Sequence, residues 1–125
     1  MVSTDVFAAL ALSFPKSEEH PHFQLRSFRV GKKIFSTLWE KENKAMVKLP
    51  LIEQSVFCSF DVAVFYPVPG AWGKKGATFV NLSKVRKDML RDAMTIAYEA
   101  LVNRSGEEAS RRTGNKKVGR RGSPT

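Results

Sequence analysis

Residues 23–39, FQLRSFRVGKKIFSTLW, carry the strongest strand signal in this sequence. Two runs flank Gly31, and in each of them apolar residues alternate imperfectly with polar and basic ones. Such alternation is typical of strands with one buried face, and a glycine between them gives the backbone the freedom that a tight turn requires. This stretch therefore predicts an antiparallel hairpin, with a sheet at the centre of the fold.

The chain before the hairpin predicts one short helix and a loop. Thr4 is the expected N-cap, and apolar residues follow it at helical spacing until Pro15 ends the pattern. The next segment, PKSEEHPH, is rich in prolines and charges, a composition that favours a loop. We therefore expect a single amphipathic helix on this side of the hairpin.

The chain after the hairpin predicts three more strands and two helices. KAMVKL, AVFYPV and ATFVNL have strand-like patterns. LIEQSVFCSF has helical spacing, and we predict a helix there, but its β-branched and aromatic residues also permit a strand. From Ser83 to Val102, apolar residues recur at helical spacing without glycine or proline, which predicts the longest helix of the chain.

The resulting order, α-β-β-β-α-β-β-α, predicts an α+β fold in which helices cover one face of an antiparallel sheet. Residues 1–102 are expected to form one domain. Residues 103–125 contain four glycines, many charges and one aliphatic side chain larger than alanine. They bury too little apolar surface to offset the entropy of ordering, so we expect a disordered basic tail.

The formal charge of +9 is concentrated in this tail. Residues 103–125 carry seven basic and two acidic side chains, which leaves a net charge of +4 for residues 1–102.

No run approaches the roughly 20 apolar residues that cross a bilayer, and the first residues lack a signal-peptide pattern. The single cysteine, Cys58, excludes an internal disulfide and is expected to pack in the core. These features predict a soluble, cytoplasmic protein, with a monomer favoured over an oligomer.

The glycine-rich stretch GAWGKKGATF, residues 70–79, invites comparison with phosphate-binding loops. A Walker loop places four residues between its first glycine and Gly-Lys-Ser/Thr and opens a helix, whereas two residues separate Gly70 from Gly73 and a predicted strand follows. The spacing also departs from the dinucleotide fingerprint, and GKKG matches the clamp of KH modules in letters alone. We interpret the stretch as a hairpin loop, with Trp72 packed on the sheet or on a helix.

Two histidines and two glutamates lie close together in EEHPH: Glu18, Glu19, His20 and His22. Their chemistry is borderline suitable for zinc, but no second cluster in the sequence completes a coordination shell. Neither histidine has a nucleophile in a recognisable catalytic setting. We therefore expect no metal, no cofactor and no catalytic residues, and an enzyme is the third alternative, which a deep pocket at these residues would favour.

Basic and aromatic residues interleave in two places. Four basic residues surround the first hairpin, and two lysines and a tryptophan lie in the glycine-rich stretch: Arg26, Arg29, Lys32, Lys33, Trp72, Lys74 and Lys75. Such groups contact phosphates while an aromatic ring stacks on a base, but charged residues at hairpin turns are also ordinary solubilising features. Which alternative holds depends on whether the two groups share one face of the protein.

Three stretches, in the same order along the chain, resemble the MmcQ/YjbR family of small proteins, which are usually described as DNA-binding. They are ALALSFPKSEEHPHF, SFRVGKKIFSTL and YPVPGAWGKKGATFVNL, followed by the final long helix, and together they cover roughly residues 5–102. The resemblance implies an antiparallel sheet packed on helices, similar to type III secretion chaperones, and implies no known enzyme. Family members typically carry Gly-Trp at the start of the last strand, where this chain has Gly76-Ala77.

The resemblance and the basic residues together predict a DNA-binding or nucleic-acid-associated protein that binds mainly by electrostatic attraction. The seven residues named above are the expected contacts, and paired basic residues in the tail are expected to add non-specific affinity. The alternative is a protein-interaction or chaperone-like module, with a protein partner, that uses the sheet or an exposed helix face.

Overall fold

The structure is a computed structural model that describes the backbone of residues 1–113 and the side chains of residues 1–103. Within this range the chain forms six strands and four helices, with one 3-10 turn (Glu40–Glu42). In chain order the elements are α1 (Thr4–Leu12), β1 (Ser17–His22), β2 (Leu25–Val30), β3 (Lys33–Trp39), β4 (Lys44–Lys48), α2 (Leu51–Phe60), β5 (Phe65–Pro67), α3 (Ala71–Lys74), β6 (Ala77–Asn81) and α4 (Lys87–Thr113).

The strands form one sheet in the order β1-β2-β3-β4-β6-β5, and every neighbouring pair is antiparallel. Tight connections join the first four strands in sequence. Helix α2 then carries the chain to the far edge, where β5 forms the edge strand, and β6 returns to lie between β5 and β4. The fold class predicted from the sequence, an antiparallel sheet with helices on one face, is confirmed.

The core lies between the helices and one face of the sheet. Phe7 of α1 packs edge-on against Phe28 of β2, with ring centroids 5.8 Å apart, and Phe57 of α2 packs against Phe65 of β5 at 5.0 Å. Helix α4 packs over β3 and β4. Because burial of large rings removes much apolar surface from water, these contacts stabilise the domain.

The opposite face of the sheet carries a cross-strand cluster of three aromatic rings and a lysine. Trp39 lies opposite Lys44, and Tyr66 lies opposite Phe79 in the strand register. The Nζ atom of Lys44 sits 3.9 Å from the ring centroid of Phe79 and 5.2 Å from that of Trp39, a cation–π arrangement. The neighbouring side chains thereby shield Phe79, which is only 5% exposed.

One predicted loop is wrong. Residues Ser17–His22 of PKSEEHPH form β1, which pairs with β2 as an edge strand. Pro21 is compatible with this position because an edge strand has backbone positions that need no hydrogen-bond donor. The sequence-based order therefore lacked one strand at the N-terminal side and one short helix, α3, before β6.

Three predicted boundaries also shift. Ser3, and not Thr4, caps α1, since its Oγ accepts a hydrogen bond from the backbone N–H of Val6 at 3.1 Å. Helix α4 begins at Lys87, because Ser83 belongs to a turn closed on the side chain of Asn81. The helix continues to Thr113, beyond the boundary expected at residue 102. Residues 114–125 of the expected disordered tail, and all side chains after residue 103, lie outside the described residues.

None of the helices in the described part of the chain is both long enough and apolar enough to cross a bilayer.

Candidate nucleic-acid interface

One end of the sheet collects lysines from four separate segments. Lys33 lies opposite Val30 at the β2–β3 turn, and Lys48 at the end of β4 lies opposite Ala77 at the start of β6. Because β3 and β4 are paired antiparallel, these strand ends lie together, and β1 begins beside them. We call this set the basic end: Lys16, Lys32, Lys33, Lys48, Lys74 and Lys75.

A groove of about 530 Å³ opens at the basic end. Ile34, the neighbour of Lys33 in sequence, lines the groove together with Lys48 and Lys75. Most of the remaining lining is apolar and comes from the first turn of α2 and from α4, and Glu53 adds one carboxylate. Lysines from different elements therefore border one concave surface, an arrangement that the sequence alone did not establish.

The glycine-rich stretch forms the short helix α3 inside the connection between β5 and β6. A Cβ atom on Gly73 would lie 1.8 Å from the carbonyl oxygen of Val68, and one on Gly76 would lie 1.9 Å from that of Leu49. Gly76 also has a φ of +112°, which side chains disfavour. These two glycines therefore serve close backbone packing. The interpretation as a connection between strands is confirmed, with one helical turn within it.

A buried glutamine fixes this connection to α2. The Nε2 group of Gln54 donates to the carbonyl oxygens of Gly73, at 2.9 Å, and Ala77, at 3.1 Å. It also lies 3.2 Å from the hydroxyl oxygen of Thr78, which in turn donates to the carbonyl oxygen of Gly76. Because these groups are buried, the network holds the loop and the residues it presents in one position.

The fixed loop presents its tryptophan and lysines to solvent. Trp72 is 64% exposed, and Lys74 and Lys75 are exposed beside it. The expectation that Trp72 packs on the sheet or on a helix is therefore wrong. The reason is that Gly73, which lies between Trp72 and the lysines, takes the inward position against Val68. An exposed indole next to two lysines has the composition of a single-strand binding surface.

Arg26 lies away from this group. It pairs with Leu38 near the other end of β3 and makes a two-point ion pair with Glu19, at 2.7 and 3.1 Å, and a third contact with Glu40 at 3.1 Å. The hydrogen bond from Arg26 lowers the pKa of the Glu19 carboxyl, although its own burial opposes the effect. Two carboxylates therefore neutralise Arg26, and it is not part of the basic end.

Arg29 and the hairpin lysines occupy intermediate and exposed positions. Arg29 lies opposite Ile34 and Glu18, and its Nε atom is buried without a hydrogen-bond partner among the described residues. Lys32 and Lys33 are exposed at the β2–β3 turn. Of the six basic residues in the first hairpin and the glycine-rich stretch, four therefore lie at one end of the sheet: Lys32, Lys33, Lys74 and Lys75. Arg29 lies near the same turn and is partly buried.

The histidine segment forms a small surface pair. His20 Nε2 lies 2.9 Å from an oxygen of Glu18, whose side chain is largely exposed, whereas that of His20 is partly exposed. His22 packs edge-on against the ring of Phe23, with centroids 4.6 Å apart. Within the part of the chain whose side chains are described, no group of three or more His, Cys, Asp or Glu residues is placed to hold a metal ion.

Cys58 lies on the inner side of α2, half-buried against the core. Burial raises the pKa of its thiol, because an ionised sulfur loses solvation there. Its position agrees with the predicted packing role.

Three residues that matter for this surface were missed at the level of sequence. Lys16 precedes β1, a strand that the sequence pattern did not predict, and Lys48 ends β4, which pairs with the sequence-distant β6. The sheet order therefore shows that they join the basic end. Gln54 carried a weak signal, since it is a polar residue three positions before the apolar Phe57 on the same helical face. A buried polar residue at such a position indicates a hydrogen-bond network.

Comparison with known proteins agrees with this architecture. In its overall fold the chain is similar to the crystal structure of Deinococcus radiodurans protein DR2400, described as having a DUF419 domain. The TM-score is 0.76 at 16% sequence identity, over 90% of this chain and 88% of that one. At this identity the likeness establishes the fold. None of the curated proteins matches the chain.

The family follows from a separate comparison. The sequence profile of the YjbR family matches residues 12–100, which is most of the chain. The protein therefore belongs to the YjbR family.

Proposed function

We propose that this YjbR-family protein is a cytoplasmic nucleic-acid-binding protein that holds phosphates at its basic end. The observation that carries the proposal is the convergence of lysines from four segments on one end of the sheet. Two of them, Lys48 and Lys75, line a groove there. A cluster of lysines attracts the phosphate backbone and displaces its condensed counterions, which favours binding without base recognition.

The exposed ring of Trp72 gives this surface a second mode of contact. An indole beside Lys74 and Lys75 is suited to stack on an unpaired base while the lysines meet the flanking phosphates. Arg26 takes no part, because Glu19 and Glu40 neutralise it. The basic residues of the tail attract nucleic acid at long range, but they do not determine where along the nucleic acid the protein binds.

The test is a titration of the full chain against labelled duplex and single-stranded oligonucleotides of equal length, at several salt concentrations. Replacing Lys74 and Lys75 by Glu is expected to weaken binding at least about tenfold, since two phosphate contacts become repulsive. The matched control replaces Lys41 and Lys84 by Glu, because both are exposed beyond the opposite strand ends and the change in net charge is the same. Absence of binding at low salt, or equal weakening by both pairs, would refute the proposed surface.

A protein-interaction module is the second candidate, and the outer face of α2 favours it. Ile52, Val56 and Phe60 are exposed there, which is unusual for a helix that packs on a sheet. Indifference to nucleic acid in the same titration would favour this candidate.

A further inference from the structure

Helix α2 exposes apolar side chains on its outer face and buries a polar one on its inner face. Gln54 and Phe57 face the core, whereas Ile52, Val56 and Phe60 are 76%, 59% and 65% exposed. At about 100° per residue, positions four apart form one row, and this row lies on the side of the helix away from Gln54. A helix that contacts solvent normally has the reverse distribution.

Two further exposed apolar side chains lie near the ends of this row. Leu51 at the start of α2 and Val62 just after its end are also exposed large apolar side chains. An apolar patch of several such residues, roughly 300 to 600 Å² in a typical monomer, is often an interaction site. We call the row Ile52, Val56 and Phe60 the α2 stripe.

We propose that the α2 stripe binds the α2 stripe of a second copy of this chain, with the two helices antiparallel about a twofold axis at Val56. Residues spaced i, i+4 and i+8 are symmetric about the middle one, so Ile52 of each copy meets Phe60 of the other. Packing of i±4 rows against each other is the commonest way for two helices to cross, and a twofold interface uses the same patch on both copies.

The charges at the two ends of α2 distinguish a second copy from other partners. Lys48, Lys75 and Glu53 line the groove at the N-terminal end of the helix, so the two lysines leave a net positive charge there. Asp61 is the C-cap at the other end and is exposed, where the helix dipole is also negative. An antiparallel copy brings the lysines of each chain to the aspartate of the other, whereas a uniformly acidic partner would be repelled at Asp61.

Self-association at α2 is measurable without nucleic acid, although Lys48 and Lys75 take part in both proposed contacts. It is the alternative to the sequence-based expectation of a monomer. The measurement is sedimentation velocity of the full chain over roughly micromolar to millimolar concentrations. We expect the mass to rise toward twice the 14.0 kDa of one chain. Val56→Glu is expected to remain monomeric, because two carboxylates would face each other at the axis. Ser55→Glu adds the same charge to an exposed position beside the stripe and is expected to behave as wild type.

A cross-link tests the geometry separately from affinity. In a Cys58→Ser background, Val56→Cys places one thiol from each copy at the proposed axis, within reach of a disulfide. We expect oxidation to give a covalent dimer with Val56→Cys and none with Ser55→Cys. Equal cross-linking at both positions would overturn the antiparallel arrangement.

Charge reversal tests the orientation. Asp61→Lys is expected to raise the dissociation constant of the dimer by a factor of about 2 to 5, the size of effect that loss of a surface ion pair usually has. Adding Lys75→Glu should restore the original dissociation constant. Sedimentation as a monomer at every concentration, or a dimer that Val56→Glu leaves unchanged, would overturn the proposal. Far-UV circular dichroism of each variant shows whether it is folded.

Discussion

The amide of Gln54 in α2 lies 2.9 Å from the carbonyl oxygen of Gly73 in α3, and both residues are buried. This contact joins the helix that bears the α2 stripe to the loop that presents Trp72 and two lysines of the basic end. Two surfaces with different proposed roles are therefore connected by the same buried hydrogen bonds of Gln54. The contribution of these hydrogen bonds to the stability of the fold can be measured separately from either role.

Replacing Gln54 by Ala should lower the free energy of unfolding by about 1 to 3 kcal/mol, because buried acceptors of the loop lose their donor. Urea unfolding followed by circular dichroism measures the change. Ser55→Ala, at the adjacent exposed position, is the control and should lie within about 0.5 kcal/mol of wild type. An equal effect of the two substitutions would show that the amide contacts contribute nothing.

Replacing Gly76 by Ala should destabilise the fold by about 3 kcal/mol or more, since the backbone has a positive φ and the new Cβ would collide with the carbonyl oxygen of Leu49. Gly31 also has a positive φ, +63°, but open space surrounds its Cβ position. Gly31→Ala should therefore cost only about 1 to 2 kcal/mol. Comparison of the unfolding midpoints of the two variants separates the effect of the collision with Leu49 from that of the positive φ. Similar losses of stability in both variants would contradict the close approach of Leu49 to Gly76.

Replacing Arg26 by Gln should reduce stability by about 0.5 to 1 kcal/mol at neutral pH, as expected for a partly exposed ion pair. The pKa of Glu19 is lowered from its ordinary value of 4.5, first by the hydrogen bond from Arg26. The ion pair between Arg26 and Glu19 therefore contributes its full stabilisation above pH 4.5. This stabilisation disappears as pH falls through the lowered pKa of Glu19 in the folded state. Wild type and variant should converge in stability in acid. Arg91→Gln, at an exposed position, serves as the control. A stability difference between wild type and Arg26→Gln that persists in acid would contradict its origin in the ion pair with Glu19.

The salt dependence of binding should report how many lysines meet phosphates. For duplex DNA each contact contributes about 0.9 to the slope of log K against log salt. Lys74→Gln with Lys75→Gln should therefore reduce that slope by about 2, and Lys41→Gln with Lys84→Gln should leave it unchanged. An unaltered slope in the first variant would show that Lys74 and Lys75 do not touch the backbone of the nucleic acid.

Local patterns were sufficient for most of the secondary structure. Alternation around Gly31 predicted the β2–β3 hairpin, and helical spacing predicted α2 and the long final helix. The pattern failed at Ser17–His22, because proline and charge suit a loop and an edge strand equally well. Whether such a segment pairs depends on β2 and not on its own residues.

The candidate surface was less accessible to prediction. Arg26 and Lys33 lie close in sequence around one hairpin, yet strand direction sends them toward opposite ends of the sheet. Arg26 then meets Glu40 across 14 positions of sequence, a pairing that alternation does not encode. Lys48 and Lys75 come together only because β6 inserts beside β4.

The sequence by itself determined the α+β class, the family and the net basic charge, because periodicity, motif order and composition are local or additive properties. The tertiary structure decided which charges act together. Sheet order gathered the lysines at one end and left Arg26 neutralised at a distance. It also decided that α2 turns Gln54 inward and Val56 outward, since the carbonyl groups of a distant loop provide the partners that keep a buried amide stable.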